Sequence, residues 1–273
     1  MISADSSSQP FDFSGAIPKH YDEISGPMFF EPYAIEVSDR IDPSSVGIAL
    51  ELASGTGRVT RHLRNVLLST TKLIASDISA DMLAVAKEKL NTLDINWEMI
   101  DAQELPFEND SIDLVVCCFG YMFVSNKLKA FAEAYRVLRP DGMLLFTTWD
   151  QLELIGASCV YRSIAKKYLK DPLPESYNLP FSMHDESAIK QMLQEVGFSK
   201  IVIEKINKLS ICPTASEASE GLTKGGAIYN LIMSQNPEWI EEIKTLVEKE
   251  LARKFGEAPM VAPMCAVISQ SWK

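Results

Sequence analysis

Residues 51–57 of the chain read ELASGTG, and they lie where a short apolar run gives way to a helical pattern. Glycines at a strand-to-helix turn let backbone N–H groups approach a ligand closely, with the positive end of the helix dipole behind them. A turn that is merely tight would use the same glycines. The stretch therefore predicts a ligand-binding turn only if the neighbouring strand ends carry matching chemistry.

Short apolar runs alternate with amphipathic stretches on both sides of this turn, from about residue 43 to residue 150. Runs that are apolar on both faces and separated by one-sided helices indicate a parallel sheet covered by helices on both sides. The predicted strands are Val46–Leu52, Lys72–Ile78, Ile95–Ile100, Ile112–Phe119 and Met143–Trp149, and the predicted helices are Val59–Leu68, Asp81–Leu90 and Asn126–Leu138.

The alternation of short apolar runs and amphipathic stretches ends after Asp150, where longer helical stretches interrupt the pattern of strands. We expect helix over 152–169, loop over 171–180, helix over 184–196, and mostly helix over 214–256, with further strands over 199–206 and 262–272. The fold class is therefore α/β, with a doubly wound, mostly parallel seven-stranded sheet. The segments 151–183 and 207–258 are expected to be helical insertions that form a cap over one edge.

The chain ahead of the sheet divides into two parts. Residues 1–14 are polar and rich in serine, which predicts a flexible N-terminal tail. Apolar spacing between Ile17 and Ile41 predicts two short front helices within 15–42, interrupted at Gly26-Pro27. Residues 15–273 are then expected to form a single domain, with 46–149 as its ligand-binding core.

Length, charge and composition exclude several classes of protein. The 273 residues suit one large domain, and 26 basic against 37 acidic side chains give a net charge of −11, which disfavours a nucleic-acid partner. No apolar stretch is long enough to cross a bilayer and the start lacks a secretory pattern, so we expect no membrane insertion and a cytoplasmic protein. The five cysteines lack zinc-site spacing, so no metal is expected.

Two aspartates end the strands that follow the glycine turn. Asp77 closes the second predicted strand and Asp101 closes the third. Open α/β sheets bind ligands at the carboxyl ends of their parallel strands, and a carboxylate at the second strand end can accept two hydrogen bonds from a ribose diol. Either aspartate could instead cap the helix or turn that follows, but three such positions on consecutive strands favour a nucleoside site.

The run from Val46 to Trp149 resembles the class I S-adenosylmethionine-dependent methyltransferases, particularly the small-molecule branch with ubiquinone- and menaquinone-type enzymes. The resemblance implies a Rossmann-like methyltransferase fold, S-adenosylmethionine as cofactor, and S-adenosylhomocysteine as product. The segments that carry it are, in chain order, ELASGTG, IASDIS with ADML, IDAQELPF, SIDLVVCCFG and EAYRVLRPDGMLLFTTW.

The resemblance also assigns roles to residues. One departure is Ala53, which replaces the first glycine of the family's acidic-x-Gly-x-Gly-x-Gly pattern and is tolerable only if its backbone dihedrals are ordinary. The resemblance implies that Glu51 organises the turn that contains Ala53, that Gly55 and Gly57 lie against the methionine part of the cofactor, and that Asp77 binds the ribose. Ile78 and Met82 would pack on the adenine, with Asp101 and the backbone of Ala102 at its amino group. Phe119 would lie near the transferred methyl group, and Tyr21 would close over the cofactor.

Methyl transfer from a sulfonium depends mainly on alignment and exclusion of water, and it needs a general base only when the acceptor must lose a proton. The candidate catalytic residues are His20 and Tyr121, although Tyr121 could equally be apolar lining. His62 is expected to face solvent and His184 to start a helix. The expected acceptor is a small, partly hydrophobic molecule, and its predicted pocket contains Phe30, Tyr33, Phe123 and Trp149, with Phe29 and Met122 nearby.

Two other functions remain open at this point. A non-catalytic module that binds S-adenosylmethionine or a metabolite would explain the missing glycine and the scarcity of bases. An NAD(P)-dependent oxidoreductase would explain an acid 20 residues past Gly57, but its third glycine would fall at Thr60 and Asp101 would have no role. The favoured interpretation is a methyltransferase that acts as a monomer or homodimer.

Overall fold

The computed structural model describes residues 21–170, 172–225 and 228–273. The predicted N-terminal tail, 1–14, and the start of the predicted front helices, including His20, lie outside the described residues.

A single mixed sheet of seven strands forms the centre of the described chain. Its strands are β1 (Ile48–Leu52), β2 (Lys72–Asp77), β3 (Asn96–Met99), β4 (Ile112–Cys118), β5 (Leu138–Trp149), β6 (Lys200–Cys212) and β7 (Met260–Trp272). Their order across the sheet is β3-β2-β1-β4-β5-β7-β6. The first five strands pair in parallel, and β7 is antiparallel to both of its neighbours, β5 and β6.

An α-helix follows each of β1, β2 and β4, as the alternating pattern predicts, whereas β4 follows β3 directly and the helices after β5 and β6 come in groups. The α-helices are α1 (Glu31–Ser38), α2 (Arg58–Val66), α3 (Ala80–Lys89), α4 (Lys127–Val137), α5 (Gly156–Ala165), α6 (Glu186–Val196), α7 (Ala215–Lys224), α8 (Tyr229–Gln235) and α9 (Trp239–Phe255). Side-chain caps start four of these helices, with Ser79, Asn126, Asp185 and Thr214 accepting hydrogen bonds from the first turns of α3, α4, α6 and α7.

The central strands are apolar on both faces because helices cover both sides of the sheet. Leu50 in β1, Leu114 in β4 and Leu145 in β5 have no exposed surface. Strand order reverses at β1, whose neighbours β2 and β4 lead to opposite halves of the sheet. Connections diverge at such a switch point and leave a crevice at the carboxyl ends of the strands, which is where the glycine turn lies.

The front segment differs from the two helices expected on either side of Gly26-Pro27. A π-helix, Tyr21–Phe30, runs through Pro27, and α1 begins directly after it with Pro32 in its first turn. The first turn of a helix tolerates proline because its N–H groups have no partner within the helix. The change from one helix to the next therefore falls near Pro32, whereas Pro27 is accommodated within the wider π-helix.

The second expected insertion, 207–258, is wrong at its start. Residues 207–212 continue β6, pairing in register with residues 260–265 of β7. Within this stretch Ser210 is buried, whereas Leu209 and Ile211 are each 54% exposed. The polar side chain faces inward and the apolar ones outward, the reverse of the alternation that identifies a half-buried strand.

Three smaller differences concern local geometry. The expected turn at 139–142 lies within β5, where a register shift places six residues, 138–143, opposite three of β4, 112–114. Residues 152–154 form a 3-10 helix ahead of α5, so the helix expected over 152–169 is shorter. The expected loop 171–180 contains most of a 3-10 helix, Glu175–Phe181.

Candidate functional site

The glycine turn leaves β1 through a series of backbone hydrogen bonds. Ser54 N donates to Ser76 O of β2 at 2.9 Å, and Gly57 N donates to Ser54 O at 3.0 Å. Gly55 has φ +56°, a conformation that favours glycine, and a Cβ built there would meet no atom within 4 Å. The turn therefore presents open space at Gly55, where a ligand can approach the backbone.

Gly57 is required for a different reason from the one the resemblance implies. Its φ is +81°, and a Cβ there would lie 2.8 Å from Leu90 Cδ1 and 3.2 Å from Ala86 Cβ. These atoms belong to α3 and the residue that follows it, so a glycine at this position allows α2 to start close against α3. The structure accounts for Gly57 through this packing and shows no open space beside it.

Asp77 joins the glycine turn to the end of β2. Its Oδ2 accepts a hydrogen bond from Gly55 N at 2.8 Å, and its Oδ1 accepts one from Ser79 N at 2.8 Å. Burial raises the pKa of Asp77, against the opposing effect of these backbone N–H groups. The carboxylate thus lies at the crevice with its oxygens held by main-chain donors.

Glu51 lies at the base of the same turn and is almost completely buried. Its exposed fraction is 1%, and its Oε2 has no hydrogen-bond partner among the described residues. Burial, with a smaller contribution from the charge of Asp77, raises the pKa of Glu51 to about 8. The side chain is therefore largely protonated at neutral pH and contributes little negative charge to the turn.

Asp101 lies at the next strand end, just beyond β3. Its Oδ1 accepts hydrogen bonds from Gln103 N at 2.8 Å and Gln103 Nε2 at 3.2 Å. Gln103 Oε1 in turn accepts from Ser125 Oγ and Asn126 N at the start of α4. This network fixes the loop that contains Asp101 and Ala102 against the loop after β4.

Apolar side chains flank these acids, as the resemblance implies for an adenine site. Ile78, directly after Asp77, is 45% exposed, and Met82 in the first turn of α3 is buried. Met99, which pairs in register with Asp77, is 68% exposed. An apolar surface thus lies beside the two strand-end acids.

Ala53 does not have the ordinary dihedrals that the sequence analysis required. Its φ is +52°, and Phe119 at the end of the neighbouring strand β4 has φ +55°. A Cβ built on Gly120 would lie 2.5 Å from Ala53 Cβ, so glycine at position 120 makes room for the methyl group at position 53. Two residues with positive φ therefore lie at neighbouring strand ends beside the switch point, a placement typical of functional sites.

Aromatic side chains gather at the ends of β4 and β5. Phe119 stacks on Trp149 with ring centroids 4.1 Å apart, and Phe30 lies 5.3 Å from Phe119. Beside them is a cavity of about 800 Å³ including its mouth. Its lining comprises Ser25, Phe29, Phe30, Phe119, Met122, Phe123, Trp149, Ser158, Tyr161, Arg162, Pro180, Phe181, Gly221, Leu222, Gly225 and Ile228.

Two of the predicted aromatic residues lie behind this cavity and do not line it. Tyr121 is fully buried between Phe131 and Phe146, its hydroxyl has no partner among the described residues, and burial raises its pKa well above the ordinary value. Tyr33 is also fully buried and donates to Ile206 O at 3.0 Å. The structure thus removes Tyr121 as a catalytic candidate, because it cannot touch a molecule in the cavity, and makes Tyr33 a support for the aromatic wall.

The opposite wall contains residues that the sequence analysis did not identify. Tyr161 and Arg162 on α5, and Phe181 at the end of the 3-10 helix, line the cavity together. The available signal was an arginine within the apolar run Val160–Ala165 of an amphipathic helix. Only the tertiary structure places that helix opposite the ends of β4 and β5.

The remaining candidates are the three histidines and Tyr21. His62 does not face solvent freely, because its Nε2 lies 2.8 Å from Glu31 Oε1. His184 precedes the first residue of α6, and its Nδ1 lies 2.8 Å from Phe181 O. Tyr21 begins the π-helix, but its side chain, like all of His20, is outside the described part.

The described residues contain neither a candidate metal site nor a helix that could span a membrane. No group of three or more histidine, cysteine, aspartate or glutamate side chains there could hold a metal ion. None of the described helices is both long enough and apolar enough to span a bilayer.

The residues at the crevice fit a nucleoside attached to an amino acid. Asp77 offers carboxylate oxygens of the kind that a ribose diol needs, the backbone at Gly55 is open, and Ile78 and Met99 offer apolar surface for a base. The donor set therefore suits S-adenosylmethionine.

Comparison with known proteins agrees with this geometry. The family model described as "Methyltransferase domain" matches residues 50–146. The Ubiquinone/menaquinone biosynthesis C-methyltransferase UbiE of Pseudoalteromonas translucida is 28% identical over 74% of this chain and 87% of its own length. The UbiE protein of Escherichia coli is 26% identical over 68% of this chain and 81% of its own length.

Solved structures share the fold at lower identity. YcgJ from Bacillus subtilis superposes with a TM-score of 0.57 at 16% identity, over 89% of this chain and 98% of its own. Phosphoethanolamine N-methyltransferase 2 of Haemonchus contortus, solved with S-adenosylhomocysteine, has a TM-score of 0.59 at 18% identity, over 94% of this chain and 56% of its own. The matched domain, the UbiE relatives and the crevice together support a class I S-adenosylmethionine-dependent methyltransferase that resembles UbiE.

Proposed function

We propose that the chain transfers the methyl group of S-adenosylmethionine to a small, partly hydrophobic acceptor held in the aromatic cavity. The observation that supports this most is the position of the cavity: Phe119 and Trp149, at the ends of β4 and β5, form one of its walls. Ala53 of the glycine turn and Gly120 next to Phe119 are in close contact. The cofactor crevice and the cavity thus adjoin across two neighbouring strand ends.

The proposed cofactor contacts remain those of the sequence analysis, with Gly57 now given a packing role. Asp77 would hold the ribose hydroxyls and Asp101 the adenine amino group, beside the backbone of Ala102 and the side chains of Ile78 and Met82. The backbone at Ala53 and Gly55 would lie against the methionine part, and Glu51 would support the turn from below. Tyr21 and His20, ahead of the π-helix, stay proposals for closing over the cofactor and for catalysis.

The cofactor supplies an electrophilic methyl group on a positively charged sulfur. The aromatic faces of Phe119 and Trp149 exclude water from the site of transfer, and aromatic faces also stabilise a nearby cation. Phe30 closes the same wall from the front segment and fixes the orientation of a flat acceptor. The chain thus accelerates transfer chiefly by alignment and by keeping the site dry.

The segments around α5, the 3-10 helix Glu175–Phe181 and α7 would act as the cap that selects the acceptor. Each contributes residues to the cavity wall opposite the strand ends. The UbiE relatives are named as C-methyltransferases of ubiquinone and menaquinone biosynthesis. Ring-containing quinone precursors are therefore the first acceptors to test, and the flat aromatic lining supports that choice.

The test is label transfer from methyl-labelled S-adenosylmethionine, with a set of quinone precursors and a metabolite extract as acceptors. The control is Asp77→Ala, whose affinity for S-adenosylhomocysteine should fall by roughly 1.5 to 3 kcal/mol, the size of a lost charged hydrogen bond. Transfer by the native chain to a ring-containing acceptor supports the proposal. Tight S-adenosylhomocysteine binding with no transfer to any acceptor would contradict it and favour a non-catalytic binding module.

A further inference from the structure

A buried arginine without an acidic partner lines the cavity. Arg162 on α5 is 6% exposed. Its Nη1 donates to Tyr177 O, and its guanidinium lies over the rings of Tyr177 and Phe181, at 4.4 and 4.8 Å from the ring centroids. No carboxylate in the described chain forms an ion pair with it, although Arg40, Arg58 and Arg136 all have one.

This arrangement is costly without a ligand. Burial lowers the pKa of Arg162, yet a guanidinium remains charged in a protein because its ordinary pKa is far above neutral. A buried charge normally requires a partner of opposite charge, since desolvation is expensive. The groups that contact the guanidinium are the Tyr177 carbonyl, the Tyr177 side chain and the Phe181 ring, and none of them carries a negative charge.

A second polar group on the same helix also lacks a partner. Tyr161 is 4% exposed, and its hydroxyl makes no hydrogen bond within the described chain. Burial raises the pKa of this phenol, against the opposing effect of the nearby Arg162 charge. Tyr161 therefore stays protonated and keeps an O–H donor, and both side chains line the cavity.

We propose that Arg162 and Tyr161 form an oxyanion subsite, and that the methyl acceptor is a flat, largely apolar molecule with one ionised oxygen group: a carboxylate, a phenolate or an enolate. This inference rests on the proposed function for the statement that the bound molecule is the acceptor. The guanidinium provides the charge and planar N–H donors, and the phenol provides a further donor. The aromatic wall formed by Phe119, Trp149 and Phe30 takes the apolar part.

An acceptor bound in this form needs no base from the protein before transfer. In a phenolate or an enolate the negative charge is shared with a carbon of the conjugated system, so the electron pair on that carbon forms the new bond to the methyl carbon while the electrons of the carbon–sulfur bond remain on sulfur; a carboxylate at the subsite anchors the acceptor and takes no part in this step. The negative charge of the acceptor and the positive charge of the sulfonium disappear together. An acceptor of this kind fits a cavity whose described lining contains no histidine and no carboxylate.

The experiment compares two matched pairs of probes by calorimetry in the presence of saturating S-adenosylhomocysteine. These are benzoate with benzamide and 2-naphthoate with 2-naphthamide. In each pair the shape is the same and only the ionised oxygen differs. We expect at least one acid to bind ten or more times tighter than its amide, Arg162→Gln to remove that preference, and Tyr161→Phe to reduce it three- to tenfold.

The matched control is Arg253→Gln, which removes an equal charge from an exposed position on α9 and should leave the preference unchanged. Affinity for S-adenosylhomocysteine, measured on every variant, reports that the fold is intact. If Arg162→Gln does not fold, the preference of the native chain and its reduction in Tyr161→Phe decide the question.

Acid and amide binding equally, or neither binding, would overturn the subsite. So would a preference that survives in Arg162→Gln. The proposed function fails on a different result, the absence of methyl transfer to any acceptor, because the binding comparison requires no turnover.

Discussion

The contact between Ala53 and Gly120 shows how a departure from a family pattern is accommodated at the scale of single residues. Ala53 has φ +52° and its methyl group occupies the space that a side chain at position 120 would need. Gly120 itself has φ −100°, which suits any residue. The two positions are therefore coupled: alanine is possible at 53 because glycine stands at 120.

We expect Gly120→Ala to destabilise the protein by roughly 1 to 3 kcal/mol, because the added Cβ would lie 2.5 Å from Ala53 Cβ and 2.7 Å from Cys117 Sγ. Ala53→Gly should change stability by less than about 1 kcal/mol, since relief of strain and added chain entropy oppose each other. The double variant should recover part of the loss, as measured by urea unfolding in a double-mutant cycle. Strictly additive effects would show that the two sites are not coupled.

A second prediction at this scale concerns Glu51 and pH. The pKa of Glu51 is about 8 in the folded protein against an ordinary value of 4.5. Between these values the unfolded chain has lost the proton and the folded protein retains it, so unfolding releases a proton and stability falls as pH rises. Glu51→Gln lacks this effect, so its stability relative to the native chain should rise from about pH 4.5 to pH 8 and then level off.

The measurement is urea unfolding of Glu51→Gln and the native chain at intervals from pH 4.5 to 9. Glu195→Gln, at an exposed position on α6, serves as the control and should track the native chain throughout. A stability difference for Glu51→Gln that stays constant across this range would mean that Glu51 is ionised in the folded protein at neutral pH.

Sequence reasoning placed Asp77 and Asp101 at the strand ends where the structure has them, and it placed the neutral residues less well. Asp77 lies at its strand end with an oxygen on Gly55 N because strand periodicity and the glycine turn are both local patterns. Tyr121 shows the limit of such reasoning. It follows the expected strand, but a 3-10 turn directs its ring into the core between Phe131 and Phe146, a direction that depends on packing between distant helices.

At the scale of elements, the front segment is held over the glycine turn by charged contacts. Asp22 of the π-helix accepts hydrogen bonds from Thr56 Oγ1 at 2.7 Å and Lys89 Nζ at 2.6 Å. Arg58 Nη2 donates to the backbone oxygen of Asp22 at 2.8 Å, and Arg58 Nη1 donates to Glu31 of α1 at 2.6 Å. The segment that follows His20 is thus attached to the turn, to α2 and to α3.

We expect Asp22→Ala to loosen this attachment and to weaken S-adenosylhomocysteine binding by roughly 1 to 2 kcal/mol, because charged hydrogen bonds to a partly buried carboxylate are lost. Hydrogen exchange over residues 21–30 should accelerate while exchange in β1 and β4 stays unchanged. Asp39→Asn, at the exposed end of α1, is the control. Unchanged exchange over 21–30 in Asp22→Ala would show that other contacts hold the segment.

Strands and helices were predictable where the period of the hydropathy pattern matches the period of the secondary structure, as in β1, β2 and β4. They were not predictable where long-range pairing dominates. Residues 207–212 are a strand because 260–265 pair with them, even though Leu209 and Ile211 face solvent. The 3-10 helix Glu175–Phe181 likewise packs beside Arg162, a contact that no local pattern contains.

At the scale of the whole molecule, the front segment and the C-terminal elements are joined directly. Ser25 Oγ of the π-helix donates to Gly221 O of α7 at 3.3 Å. Tyr33 Oη of α1 donates to Ile206 O of β6 at 3.0 Å, and Lys208 Nζ lies 2.7 Å from Glu36 Oε2. Together with the pairing of β7 to β5 and β6, these contacts indicate that the cofactor crevice and the cap belong to one cooperative unit.

Binding at the crevice should therefore stabilise the entire described structure. At a concentration of S-adenosylhomocysteine one hundred times its dissociation constant, the expected gain is about 2.7 kcal/mol. For a chain of this size that corresponds to a rise in melting temperature of roughly 5 to 10 °C. Far-ultraviolet circular dichroism and tryptophan fluorescence should report one coincident transition that moves as a whole, because Trp97, Trp149, Trp239 and Trp272 are spread over β3, β5, α9 and β7. Asp77→Ala at the same ligand concentration should show a smaller rise in melting temperature. Two transitions, of which only one responds to ligand, would mean that the cap folds independently of the crevice.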